Sequence, residues 1–144
     1  MRNLTITIAD TASPTDRREL GDRINALNME RTGYRDYRDL SCFLRDGEGR
    51  LVAGIDGFTW AGYAHVESLW VDESLRGQGL GRRLLEAAGA EAAERGCLTL
   101  VLSSHEFQAP DFYVKLGYEL IGTADDVPVG HRDLHFAKRP TARR

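Results

Sequence analysis

The sequence predicts a mixed α/β fold: one domain with a mostly antiparallel sheet of six to seven strands, flanked by helices. Three observations carry that expectation. Stretches of strand-like alternation are interleaved with stretches of helical period along the chain. The early strands are joined by hairpin chemistry, Asp46-Gly47-Glu48-Gly49. Further on, an apolar strand, a glycine-rich loop, a long helix and a second apolar strand follow one another, a unit whose two strands should lie parallel.

Leu4–Ala9 reads as a strand because Leu4, Ile6 and Ile8 alternate with Thr5 and Thr7. A helix follows, with Ser13 as N-cap, Pro14 at the first helical position and Asp16 in the first turn. Leu20, Ile24 and Leu27 give it one apolar face, suited to packing. Residues 29–39 have no clean period and read as a loop or a short second helix. Ser41–Arg45 and Arg50–Gly57 form the hairpin, and Gly62–Val71 is a third strand. Leu75–Gly81 is the glycine-rich loop. The helix Leu80–Arg95 places Leu80, Leu84, Ala88 and Ala92 on one stripe and Arg83, Glu86, Glu94 and Arg95 outside. Gly96 stops it, and Leu98–Ser103 is the next strand. A short helix Pro110–Leu116, a strand Tyr118–Gly122, a loop through Asp125, Asp126 and Pro128, and a strand Arg132–Lys138 complete the pattern. Gly89 sits inside the long helix, where it costs up to about 1 kcal/mol against alanine.

Composition excludes several classes. The 144 residues hold no repeat, low-complexity tract or proline-rich linker, so a single domain over 1–144 is expected. With 19 Lys+Arg against 22 Asp+Glu, the net charge of -3 lacks the basic excess of a phosphate-backbone binder, and nucleic acid is not an expected partner. Cys42 and Cys97 have neither CxxC nor Cys/His zinc spacing. They read as reduced, buried small hydrophobes, with no metal expected. No apolar run approaches the ~20 residues that span a bilayer, and the first residues lack a secretory pattern, so no membrane and a cytoplasmic location are expected.

The loop Arg76-Gly77-Gln78-Gly79-Leu80-Gly81 carries chemistry. It leads into a helix whose first N–H groups lack intrahelical partners and whose dipole is positive at that end. Glycines there let the backbone wrap a phosphate without a Cβ in the way. The spacing is neither GxGxxG, since position 82 is Arg, nor a Walker A loop. Arg82 and Arg83 stand in the first helical turn, where the dipole disfavours cations unless an anion is bound. The plain alternative is a tight turn beside solvated arginines.

The stretch from Leu69 to Leu85, LWVDESLRGQGLGRRLL, resembles the acetyl-CoA-binding motif of the GNAT N-acetyltransferase family. A second stretch, Ala109 to Glu119, APDFYVKLGYE, is similar to the segment after the fifth strand of that family. The resemblance implies a sheet split into a V between strands four and five, with acetyl-CoA as cosubstrate in the cleft. It places the pyrophosphate on the N–H groups of Arg76, Gly77, Gln78, Gly79, Leu80, Gly81 and Arg82 and the pantetheine arm along Leu69, Trp70 and Val71. An amide of Leu69 or Trp70 would polarise the thioester carbonyl. Tyr113 matches the tyrosine that faces the CoA sulfur as general acid; the alternative is a core aromatic beside Phe112. A phenol of pKa about 10 giving its proton to a thiolate of about 8.5 runs uphill by roughly 2 kcal/mol, so a hydrogen bond to the departing sulfur describes the role better. Where many members carry an asparagine on the pantetheine, this chain has Gln108.

The acceptor amine must lose a proton before it attacks, so a base is needed. Glu67 is the first candidate, acting through water, and His65 the second. By strand alternation His65, Glu67 and Leu69 share one face unless a bulge intervenes. Each has an ordinary alternative as a paired or solvated polar group. His105 and Glu106 are further candidates to line the cleft. The loops around Thr32–Asp39 and Asp125–His131 are expected to choose the acceptor. The expected activity is acetyl transfer to a primary amine by direct attack in a ternary complex. The competing expectation is a non-catalytic acyl-CoA-binding module. A homodimer formed through a sheet edge or the C-terminal strand is compatible with either.

Overall fold

The computed structural model describes residues 3–142. The chain divides into two compact units, one ending at Arg35 and the other starting at Asp36.

In the first unit the expected strand Leu4–Ala9 does not form. Leu4, Ile6 and Ile8 are 79%, 91% and 88% exposed. Alternation specifies a strand only where another edge takes up its backbone groups, and among the described residues this unit holds no second strand. Helix α1 (Pro14–Thr32) begins as expected: Ser13 Oγ accepts from the N–H of Asp16 at 3.3 Å. It runs to Thr32, through the start of the stretch read as a loop. Gly33, at φ 78°, closes it by donating to the Met29 carbonyl at 2.8 Å. Leu20, Ile24 and Leu27 are all at least half exposed, so the apolar face is not buried as anticipated.

The second unit is the sheet with its flanking helices. Its strands are β1 (Arg38–Asp39), β2 (Cys42–Arg45), β3 (Leu51–Trp60), β4 (Tyr63–Val71), β5 (Thr99–His105), β6 (Glu119–Asp125) and β7 (Arg132–Lys138). The order is β1-β3-β4-β5-β7-β6, with β2 also on β3, and every pairing is antiparallel except β4 with β5. In the β2–β3 turn the Asp46 carboxylate accepts from the N–H groups of Glu48 and Arg50 at 2.9 and 3.0 Å.

Helix α2 (Leu80–Glu94) buries Leu84, Leu85, Ala88 and Ala92 against Ala53, Ile55, Ala64 and Val66. Leu100, Leu102 and Phe136 extend this core into β5 and β7. Helix α3 (Pro110–Lys115) is held at its C-terminus by Lys138 Nζ, which donates to the Leu116 carbonyl at 2.7 Å. Arg95 departs from the expected solvent position. Its side chain is only 13% exposed, pairs with Glu91 at 3.0 Å, and donates to Asp39 O at 2.9 Å and Thr59 Oγ at 3.1 Å. The buried Thr59 hydroxyl thereby gains a partner that its apolar surroundings do not supply. Cys97 is buried as expected, whereas Cys42 is exposed, because β2 lies at the sheet edge.

Two features of β4 shape the cleft. It pairs with β5 only over Tyr63–His65 against Thr99–Val101, and beyond that the strands separate into the expected V between strands four and five. It also contains a bulge. Asp56 pairs with Ser68 and Gly57 with Val66, so Glu67 is an extra residue with no partner on β3. Before it Ala64 and Val66 face the core; after it Leu69 and Val71 do. Opposite, a Cβ on Gly57 would lie 2.1 Å from the His65 carbonyl oxygen, so only glycine lets the bulged backbone approach.

Candidate active site

The open V holds a cavity of about 1070 Å³. One wall is the β4 edge, Glu67 to Val71, whose backbone groups on this side have no β5 partner. The floor is the glycine loop. Asp72 starts it by accepting from the N–H of Ser74 at 3.0 Å and from the Ser74 hydroxyl. Gly77 and Gly79 both have φ 78°, a left-handed conformation that side chains resist. Gly79 caps α2 without a side-chain hydrogen bond, so the first N–H groups of the helix stay available to a ligand. These features fit a pyrophosphate.

The charges around the loop differ in use. Arg76 folds back, its Nε donating to the Val71 carbonyl at 3.0 Å. Arg82 lines the cavity but pairs with Glu86 at 2.7 Å; this hydrogen bond and charge push its guanidinium pKa up. Arg83 is exposed and is not among the cavity-lining residues.

Of the residues expected to hold the cofactor, Leu69, Trp70, Val71, Arg76, Gly77, Gly79, Leu80, Gly81, Arg82 and Gln108 line the cavity, and Gln78 does not. Gln108 Oε1 accepts from the His105 N–H at 2.8 Å and from Ser104 Oγ at 3.2 Å, so its carbonyl end is spent on closing β5.

Tyr113 and Glu67 line this same cavity. Tyr113 is half-buried among Phe112, Tyr118 and Phe136, with ring centroids 5.2, 6.0 and 5.5 Å away. Burial pushes its phenol pKa up. His65 is elsewhere. The bulge turns it to the other face of the sheet from Leu69, where it meets the Phe58 ring edge-on at 5.6 Å. The expected common face of His65, Glu67 and Leu69 therefore does not exist.

The cavity also contains residues that local sequence did not single out: Ser103, Phe107 and Asp133. Asp133 arrives from β7, directly across the ladder from His105. Among the described residues no group of three or more His, Cys, Asp or Glu is placed to hold a metal ion, and no helix is long and apolar enough to cross a membrane.

A split sheet, an open strand edge in the split and a helix without a side-chain cap behind a glycine loop together make the arrangement of an acetyl-CoA-dependent acetyltransferase. Known proteins agree with it. The chain belongs to the acetyltransferase (GNAT) family, whose model matches residues 9–118. It is 30% identical over 132 residues to Acetyltransferase Atu2258 of Agrobacterium fabrum, covering 92% of this chain and 96% of that protein. It is 39% identical over 103 residues to Blasticidin-S acetyltransferase of Streptomyces morookaense, covering 71% and 74%. The crystal structure of a Bacillus cereus acetyltransferase superposes with a TM-score of 0.76 at 31% identity, covering 92% of this chain and 97% of that one. The protein is an N-acetyltransferase that uses acetyl-CoA as cosubstrate.

Proposed function

We propose that the protein transfers the acetyl group to a primary amine of a small cationic acceptor by direct attack in a ternary complex. The observation that carries this reading is that Glu67 and Tyr113 line the cavity whose floor is the glycine loop. The loop holds the pyrophosphate, and the β4 edge takes the pantetheine as an added strand. Glu67, lifted out of the ladder by the bulge, removes a proton from the arriving ammonium through water. Its lone pair freed, the nitrogen attacks the thioester carbon while a β4 amide polarises the carbonyl. Tyr113 then donates a hydrogen bond to the departing sulfur.

Two observations favour a cationic small amine. One is the 39% identity to Blasticidin-S acetyltransferase. The other is the charge near Glu67: partial burial raises the Tyr37 phenol pKa, and the carboxylates of Asp39, Glu67 and Asp56 raise it further. Those carboxylates attract an ammonium group. Direct attack is supported by the cysteines, since neither Cys42 nor Cys97 lines the cavity and burial pushes the Cys97 thiol up.

Thiol release from acetyl-CoA tests the reading, with blasticidin S, streptothricin, glucosamine 6-phosphate and a lysine peptide as acceptors. Initial-rate lines should intersect for at least one small amine, and Glu67→Gln should lower kcat about 10²-fold while sparing the KM for acetyl-CoA. Parallel lines with acetyl trapped on a cysteine would overturn direct attack. An unaltered kcat in the variant would remove Glu67 from the base role.

A further inference from the structure

Over the reaction the acceptor nitrogen gives up two protons. It arrives as R–NH3+ and must shed one to expose its lone pair; once bonded to the acetyl carbon it still carries one too many. A single carboxylate acting once leaves the second unassigned.

We propose that the imidazole Nε2 of His105 takes this second proton, from the nitrogen of the tetrahedral adduct. The inference rests on the acetyl-transfer reading above. His105 Nδ1 lies 2.9 Å from the Val127 carbonyl oxygen. A carbonyl can only accept, so Nδ1 carries the hydrogen, and in the neutral ring Nε2 then holds the lone pair. The ring is held in place. Phe107 stacks on it at 5.2 Å with 9° between planes, and Gln108 Oε1 fixes its backbone N–H at 2.8 Å. Val127 is fixed too, by its N–H to the His131 carbonyl at 3.1 Å within a loop closed by the His131 N–H on Pro128 O at 2.8 Å.

Position supports the role. His105 ends β5 and Glu67 interrupts β4, so they stand on the two arms of the V and line one cavity with Tyr113. The charged groups around His105 are accounted for. Asp133 on β7 is its ladder partner, with Oδ1 3.9 Å from Nδ1 and Oδ2 3.1 Å from His135 Nε2. The neighbouring Glu106 is engaged elsewhere, with His131 Nδ1 at 2.8 Å and the Arg132 N–H at 3.2 Å. Proton transfer to His105 thus places its positive charge beside the Asp133 carboxylate.

The step balances. The C–N bond forms with the nitrogen's own pair, Nε2 takes the N–H proton, the C–S bond breaks, and its pair leaves on sulfur. Of the two protons lost by nitrogen, one is matched by the thiol that forms and the other passes to solvent.

The test combines a spectrum with a conservative variant. In 15N-histidine NMR of the wild-type protein, the neutral His105 ring should show Nδ1 protonated and Nε2 bare; a neutral ring protonated at Nε2 overturns the proposal whatever the kinetics. His105→Asn keeps a donor for the Val127 carbonyl and removes the basic nitrogen. With the best acceptor of the panel above, its kcat should fall about 10²-fold with the KM for acetyl-CoA within threefold of wild type. Should His105→Gln and His105→Asn both keep kcat within threefold, His105 loses the role while acetyl transfer stands. Wild-type protein that releases no thiol with any acceptor sinks both readings.

Discussion

At the scale of single residues, the cavity sorts its proton-bearing groups by environment. Glu67 is exposed on a bulge, whereas the Tyr113 phenol is raised above its ordinary value by burial. Burial penalises the phenolate, so the neutral form persists to higher pH than in water. Raising a donor further above a thiolate makes full transfer harder, which supports the proposed role of Tyr113 as a hydrogen-bond donor to the departing sulfur. Tyr113→Phe should therefore lower kcat about tenfold and leave the shape of the pH–rate profile between pH 6 and 9 as it is in the wild type. An alkaline limb that vanishes in the variant would show that the phenol ionises in that range.

Among the elements, two glycines of one segment make opposite predictions. Gly79 has φ 78° as the cap of α2, so alanine there costs roughly 1–2 kcal/mol of strain or forces the loop to change. Gly79→Ala should raise the KM for acetyl-CoA about tenfold, read by the same thiol assay. Gly89 lies inside α2, and a Cβ there meets nothing within 4 Å. Gly89→Ala should stabilise the protein by roughly 0.5–1 kcal/mol in urea unfolding, with kcat unchanged. This contrast explains why the loop could be read from sequence: left-handed backbone demands glycine, and that demand is local. The strand expected at Leu4–Ala9 shows the reverse, since alternation marks a capacity that only a partner edge converts into a strand. His105 and Asp133 meet only through the β5–β7 register, which no short window of sequence contains.

For the whole molecule, the buried tyrosines link stability to alkaline pH. Burial raises the Tyr118 phenol, and the nearby Tyr113 adds to the effect; Lys138 Nζ lies 5.5 Å above the Tyr118 ring. Below about pH 10 the phenols are protonated in folded and unfolded chains alike, and the folded state carries no penalty. Above it the unfolded chain ionises while the folded one resists, so stability is lost as pH rises, by up to about 1.4 kcal/mol per pH unit for each such group. Tyr118→Phe should move the midpoint of alkaline unfolding upward, measured by circular dichroism between pH 9 and 12. The outline of the fold, its V, its loop and the candidacy of Glu67 followed from local patterns, but the bulge that sets Glu67 apart from His65 did not. The only clue to the bulge was the adjacent polar pair Glu67-Ser68, which breaks the beat of an otherwise regular strand.

That broken beat has a consequence for how the site relates to the fold. With Glu67 struck out, the strand reads Ala64, His65, Val66, Ser68, Leu69, Trp70, Val71, and inward and outward residues alternate without interruption. Glu67 is a parenthesis in β4: the text on either side is grammatical without it. Removing the residue altogether should leave a foldable sheet and silence the enzyme, making a one-residue deletion a cleaner separation of architecture from chemistry than any replacement.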